Sequence, residues 1–179
     1  MTNQLKLNKS SYFFKVLFTY ILLYVSQSYA LAQRSITSTT SNWTLSPSLL
    51  IEAGTDYPSE FLSAANEVRL NVTVPLLLAS GNVTVHQQST SSWHENLKLS
   101  IKRTGNGDVS GLCVLCSIAG DQSNFFTIST NPINLVQIYA VASIAIYTNI
   151  PFQLKLTGVS VTIPAKTYTT NLVYTIGPI

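Results

Sequence analysis

Residues 97–108 read Leu-Lys-Leu-Ser-Ile-Lys-Arg-Thr-Gly-Asn-Gly-Asp, a strand pattern followed by a turn pattern. Leu97, Leu99 and Ile101 alternate with polar residues, which is the period of a β-strand that has one buried face. Residues 104–108 then supply Gly, Asn and Asp, the residue types that tight turns favour. The stretch therefore predicts a half-buried strand that ends in a turn.

The same alternation recurs along much of the chain. It marks five further segments, namely 69–74, 82–86, 152–156, 159–163 and 168–176. Residues 136–147 are nearly all apolar instead, and their β-branched content favours a buried strand over a short helix. Residues 52–65 contain glycine, proline and three acids, so they predict a long loop with one helical turn at 59–65.

These segments together predict an all-β fold. Seven to nine short strands separated by Gly, Pro and Asn turns indicate a single sandwich of two sheets, immunoglobulin-like or pilin-like in type. No internal repeat or linker divides the pattern, and the length suits one domain.

The N-terminal segment has the features of a secretory signal peptide. Three lysines precede the apolar block 16–25, and Ala30 and Ala32 have the spacing that signal peptidase requires. The block is about half as long as a membrane-spanning helix. We therefore expect a signal peptide at 1–32, cleavage before Gln33, and an exported domain at 33–179. A retained N-terminal anchor is the alternative, and otherwise membrane contact is expected only before cleavage.

The charge of the chain belongs to its N-terminal segment. The formal net charge is +3, and it equals the contribution of Lys6, Lys9 and Lys15. Residues 33–179 are therefore neutral, which argues against nucleic acid or an anionic membrane as a partner. Charged residues make up only 9% of the chain, against about 25% in typical domains. Such a surface offers little electrostatic resistance to self-association.

Cys113 and Cys116 form a Cys-x-x-Cys motif for which three interpretations remain open. A disulfide requires a turn, because an extended strand would hold the two Cα atoms about 10 Å apart. Two separate thiols are the second interpretation. Redox chemistry is the third, but the surrounding sequence lacks the βαβ pattern and the helix start that lower a thiol pKa in such enzymes.

Basic and aromatic residues lie on both sides of Leu97, the first residue of the quoted stretch. They are Trp93, His94, Lys98, Lys102 and Arg103. These residues predict either a surface for acidic glycans or sugar rings, or a solvated edge guarded by lysines. His86 and His94 do not have the spacing of a structural zinc site with the two cysteines, and we expect His86 to face solvent.

Hydrolytic motifs are missing from the sequence. It contains no Gly-x-Ser-x-Gly elbow and no phosphate-binding glycine loop, and four of its seven acids, Glu52, Asp56, Glu60 and Glu67, cluster in one polar segment. We therefore expect neither an enzyme nor a cofactor.

The C-terminal segment 159–176 resembles the end of bacterial secreted β-sandwich families. It reads Val-Ser-Val-Thr-Ile-Pro-Ala-Lys-Thr-Tyr-Thr-Thr-Asn-Leu-Val-Tyr-Thr-Ile, and similar families are spore coat protein U, fimbrial-subunit-like proteins and WxL surface domains. They commonly close with Pro-Ala-Gly-x-Tyr, where this chain has Lys166 in place of glycine. The resemblance implies that Pro164 ends one strand and that Tyr168 begins the last, with its hydroxyl bonded to the backbone. It also implies a surface location.

Three functions follow as hypotheses. The first is a non-enzymatic exported protein that assembles with itself or other surface proteins through strand edges, such as 168–176, in a pilus-like or coat-like structure. The second is a monomeric module that binds carbohydrate or another ligand through exposed Trp93, His94, Tyr139 or Tyr147. The third is an envelope redox protein that uses Cys113 and Cys116.

Overall fold

A computed structural model describes residues 15, 17–20, 33–39, 42–75, 80–111, 113, 115–140 and 144–179. Lys15 and residues 17–20 are helical, while the predicted cleavage site at Ala32 and most of the apolar block lie outside the described residues. Among the residues described, no helix has the length and apolar character needed to cross a membrane. Arg34–Ile179 form one compact unit.

The described residues of this unit form eleven strands. They are β1 (Ser35–Ser38), β2 (Glu60–Leu62), β3 (Val68–Val74), β4 (Ser80–Gln87), β5 (Lys98–Arg103), β6 (Asp108–Ser110), β7 (Cys116–Ala119), β8 (Phe126–Thr127), β9 (Ile133–Ala140), β10 (Ala145–Thr157) and β11 (Leu172–Gly177). The number exceeds the expected seven to nine because β2, β6 and β8 have three residues or fewer. A strand that short shows no alternation in sequence.

The larger sheet is built around β10, which is 13 residues long. Its strand order is β1-β3-β10-β5-β8, and all pairs are antiparallel. One edge of β10 pairs with β3 and then with β2, and the other edge pairs with β6 and then with β5. The long strand therefore holds two shorter strands end to end on each side.

A bulge divides β10 at Tyr147–Ile150, where the pairing with β3 shifts. Asn149 has a left-handed backbone there (φ 56°), and its N–H donates to Asn71 Oδ1. Pro151 follows at the place where β6 has ended and β5 has not begun. Its carbonyl accepts from Thr104 N–H in the turn. On this side of β10 the neighbour of Pro151 is a turn, so the lack of an N–H group on proline does not interrupt a strand ladder.

The smaller sheet has the order β11-β4-β9-β7 and is also antiparallel. The two sheets enclose one core, whose largest fully buried side chains are Phe152, Leu70, Ile101, Ile138, Ile150, Val68, Val72, Val74, Val83, Val85 and Val136. The alternation expected in β3, β4 and the second half of β10 appears as alternating burial, while in β5 the outward-facing Ser100 is buried too. The predicted all-β sandwich of two sheets is confirmed.

Four local predictions are wrong, and the first two concern residues 59–65 and 159–163. The helical turn expected at 59–65 is instead strand β2, which pairs with the end of β10. Residues 159–163, expected as a strand, form a turn in which Ile163 N–H donates to Ser160 O. Asp56 holds this turn by accepting from Val161 N–H and the Ser160 hydroxyl, so the backbone finds partners outside any sheet.

The last strand begins later than expected. Tyr168 lies in the loop before β11, which starts at Leu172, although its hydroxyl does donate to Pro164 O over 2.7 Å. The apolar stretch 136–147 is not one strand either. It contains the end of β9 and the start of β10, and residues 141–143 between them lie outside the described part of the chain.

Candidate functional site

The five residues expected to form one ligand surface are separated by the strand geometry. Side chains of β5 alternate between the two faces of the sheet, so Arg103 shares the inner face with Leu99 and Ile101. Arg103 is only 3% exposed. Lys102 lies on the opposite, outer face, and Lys98 Nζ donates to Glu95 O near the loop that precedes β5. Arg103 therefore does not belong to the predicted ligand surface.

The guanidinium of Arg103 is bound by neutral oxygens. Nη1 donates to Asn106 Oδ1 (2.6 Å) and to Gly105 O (3.4 Å), and Nη2 donates to Gly120 O (2.7 Å). The described part of the chain places no carboxylate in a salt bridge with it. Burial lowers the pKa of Arg103. Its role is to join the turn after β5 to the residue that follows β7.

Lys102 belongs to a second group of residues on the outer face of the larger sheet. Its Nζ lies 4.7 Å from the centre of the Phe125 ring, and Lys155 Nζ lies 4.6 Å from the same centre. Glu60 forms a salt bridge of 3.4 Å with Lys155. We call Lys102, Phe125 and Lys155 the lysine–phenylalanine cluster. No local sequence pattern indicates this cluster, because Phe125 comes from a distant loop.

Trp93 and His94 lie in the loop between β4 and β5. The Trp93 ring packs against the core, and its Nε1–H donates to Leu97 O over 3.0 Å. His94 Nδ1 accepts from Asn96 N–H, and its ring meets that of Tyr168 edge to face at 5.9 Å. Lys166 Nζ lies 5.0 Å from the centre of the Tyr168 ring. His94 thus joins the two loops at this end of the sandwich.

The expected aromatic platform does not include Tyr147. Its side chain is 4% exposed and faces the core from β10, and burial raises its pKa. Tyr139 is 37% exposed on β9, and its hydroxyl donates to Gln137 Oε1 over 3.0 Å. Within the described residues, the recorded ring-to-ring contact is that of His94 with Tyr168. Trp93, His94, Tyr139 and Tyr147 therefore do not form one binding face.

Cys113 and Cys116 are joined by a disulfide, with their Cα atoms 5.4 Å apart. They lie in the connection from β6 to β7, and Cys116 is the first residue of β7. The bonded pair therefore leads into a β-strand. The redox interpretation requires a helix N-terminus at this position, which would lower the pKa of a thiol.

Other chemistry is sparse in the described part of the chain. No three His, Cys, Asp or Glu side chains there come together as metal ligands. His86 is half-buried on β4, so the prediction that it faces solvent holds only in part. A shallow depression of about 110 Å³ lies between the end of β7 and β9, with Asp121 at its rim. Ligand pockets usually measure about 300 Å³ or more.

The four end strands of the two sheets share one property. None contains Lys, Arg, Asp, Glu or Pro: β1 reads Ser-Ile-Thr-Ser, β8 reads Phe-Thr, β11 reads Leu-Val-Tyr-Thr-Ile-Gly and β7 reads Cys-Ser-Ile-Ala. Edge strands are commonly protected from pairing with other chains by charge or proline. Sequence reasoning singled out the segment containing β11 but missed β7, which is too short for its alternation to be seen.

The backbone of β11 presents hydrogen-bonding groups at the outer edge of the smaller sheet. Gln88 N–H donates to Asn171 O, which makes these two residues a hydrogen-bonded pair next to the β11–β4 ladder. Such pairs alternate along an antiparallel ladder, so the N–H and C=O groups of Leu172, Tyr174 and Ile176 point away from β4. β4 is the strand with which β11 pairs among the described residues.

Comparison of this chain with protein-family models, with curated proteins and with solved structures finds no match. The resemblance of residues 159–176 to secreted β-sandwich families therefore stays a prediction.

Proposed function

We propose that this protein is a non-enzymatic, exported β-sandwich that assembles with copies of itself through strand edges, as a subunit of a surface, pilus-like or coat-like structure. The observation that supports this most is the absence of charge and proline from β11 and β7, the two end strands of the smaller sheet. In the larger sheet, β2 and β6 pair only with β10 among the described residues, and they contain Glu60 and Asp108. A protein selected to remain monomeric usually carries such protection at its edges.

The smaller sheet offers the better pair of edges. β11 has six residues and β7 has four, whereas β8 at one end of the larger sheet has two. At the other end of the larger sheet, Arg34 directly precedes β1, and its Nε donates to Ser80 O over 2.6 Å. Arg34 thus reaches from β1 to the start of β4 in the smaller sheet, and no charged residue is part of β11 or β7.

Strand directions favour head-to-tail pairing of β11 with β7 of the next copy. Each neighbouring pair in the order β11-β4-β9-β7 is antiparallel, so β7 runs opposite to β11 within one copy. A second copy in the same orientation would bring its β11 beside β7 as an antiparallel neighbour. The smaller sheet would then continue across subunits. A head-to-tail contact of this kind builds an open filament, or a closed ring where the rotation between successive subunits returns to the first one.

Sedimentation velocity of the purified protein over a wide range of concentrations tests the proposal. We expect species larger than the monomer to grow with concentration, and infrared amide absorption to show added antiparallel pairing. A strict monomer at the highest concentration would contradict the assembly proposal.

A further inference from the structure

We propose that the lysine–phenylalanine cluster binds the carboxylate groups of an acidic polysaccharide. The cluster consists of Lys102 on β5, Lys155 on β10 and Phe125 in the loop before β8. It lies on the outer face of the larger sheet and is independent of the strand edges discussed above.

The sheet register brings the two lysines to one place. Lys102 is paired with Gln153 and Lys155 with Ser100, so the lysines are diagonal neighbours on the same face. Both ammonium groups approach the Phe125 ring, at 4.7 and 4.6 Å from its centre. Residues 33–179 contain only four lysines, so two of the four converge on a single ring.

The charges of this cluster are only partly compensated. Glu60 contacts Lys155 at 3.4 Å, while no described carboxylate forms a salt bridge with Lys102. Like charges close together on a sheet face repel each other. A bound anion beside the two ammonium groups would reduce this repulsion and pair with Lys102.

Apolar surface beside the lysines favours a sugar acid over a simple anion. Leu62 on β2 pairs directly with Lys155, so its side chain lies on the same face, and it is 51% exposed. The Phe125 ring is half-buried, and Lys155 Nζ lies over it. A pyranose ring has one face of C–H groups that packs on apolar side chains while its carboxylate reaches an ammonium group.

Binding of the full chain to polygalacturonate, a polymer of carboxylated sugars, tests this inference. Neutral dextran and polyglutamate serve as comparison probes. The double variant Lys102→Gln, Lys155→Gln should weaken polygalacturonate binding by about tenfold or more. The matched control Lys98→Gln, Lys166→Gln removes the same charge elsewhere, and it should bind within about twofold of the unmodified protein. Thermal unfolding of both variants verifies that they are folded.

Three outcomes would overturn the inference. One is that the unmodified protein fails to bind polygalacturonate at low salt. Another is that the control variant loses as much binding as the cluster variant, since net charge alone would then explain it. The third is that polyglutamate binds as tightly as polygalacturonate, which would assign the cluster to acidic peptides. None of these results depends on whether the protein self-associates.

Discussion

The carbonyl group of Asn96 occupies the space that a side chain at Gly158 would need. Gly158 directly follows β10 and has a left-handed backbone (φ +84°). An added Cβ would overlap Asn96 O and come within 3.0 Å of the Asn96 carbonyl carbon. The chain therefore turns out of the sheet at Gly158, and residues 159–163 do not continue the strand despite their alternation.

Replacing Gly158 with alanine should destabilise the protein strongly. Gly54 has the same φ of +84°, but a Cβ there would meet nothing within 4 Å. Gly54→Ala thus measures the backbone cost alone, about 1–2 kcal/mol. Gly158→Ala should cost clearly more, because Asn96 must also move. Urea unfolding of both variants measures the difference, and equal losses would contradict the close approach.

Replacing Arg103 with methionine should also destabilise the protein, although it removes a buried charge. The change removes the charged hydrogen bonds that Arg103 donates to Asn106 Oδ1 and to Gly120 O, at a cost of about 1–3 kcal/mol. The control is Arg69→Met, which removes an exposed arginine from the same sheet. A raised urea midpoint in the Arg103 variant would contradict this expectation. It would mean that the buried charge destabilises the fold more than the hydrogen bonds between the two loops stabilise it.

Tyr174 should make stability fall with rising pH in the alkaline range. Burial raises the pKa of Tyr174 above its ordinary value, so the folded state keeps a proton that the unfolded state loses above about pH 10. The unfolded state then binds fewer protons, and the free energy of unfolding decreases as pH rises through this range. The decrease should be shallower in Tyr174→Phe. Urea unfolding near pH 9 and near pH 11 measures it.

The same variant tests the hydroxyl itself. The Tyr174 hydroxyl oxygen is shielded from solvent and has no hydrogen-bond partner among the described residues. Its removal should raise the free energy of unfolding at neutral pH by about 1 kcal/mol. Tyr139→Phe is the control, since that hydroxyl donates to Gln137 Oε1 at the surface. A loss of stability in Tyr174→Phe would indicate that the hydroxyl has a partner.

The disulfide should contribute modestly to stability. It closes a loop with a sequence separation of 3, for which chain entropy gives about 2 kcal/mol. The double variant Cys113→Ser, Cys116→Ser should therefore remain folded, with a lower thermal midpoint. Circular dichroism measures both the β-sheet content and the thermal midpoint. Loss of the β-sheet spectrum at room temperature would show that the fold depends on this bond.

The sequence predicted the sandwich wherever one face of a strand is buried. Val68–Val74 and Lys98–Arg103 alternate because their inner side chains fill the core. The same alternation places Arg103 on the inner face. Its charge nevertheless led to the prediction that it is exposed. By contrast, residues 159–163 alternate without forming a strand, since Gly158 and Asp56 redirect the backbone.

The candidate sites were less predictable, because distant segments form them. Phe125 approaches Lys102 and Lys155 only after a loop folds over the sheet, and no local pattern encodes that contact. The edge position of β7 likewise depends on strand order, which composition does not reveal. Tertiary packing decides both features.

The most direct test of strand-edge assembly places a lysine on each exposed edge of the smaller sheet. Thr175 on β11 and Ser117 on β7 are both exposed, and lysine at an edge is a common protection against pairing. The charge-matched control Ala53→Lys, Thr167→Lys modifies exposed loop positions instead. Sedimentation velocity at high concentration should find Thr175→Lys, Ser117→Lys monomeric, while the unmodified protein and the control associate. Equal association of all three proteins, or a monomeric unmodified protein, would contradict the account.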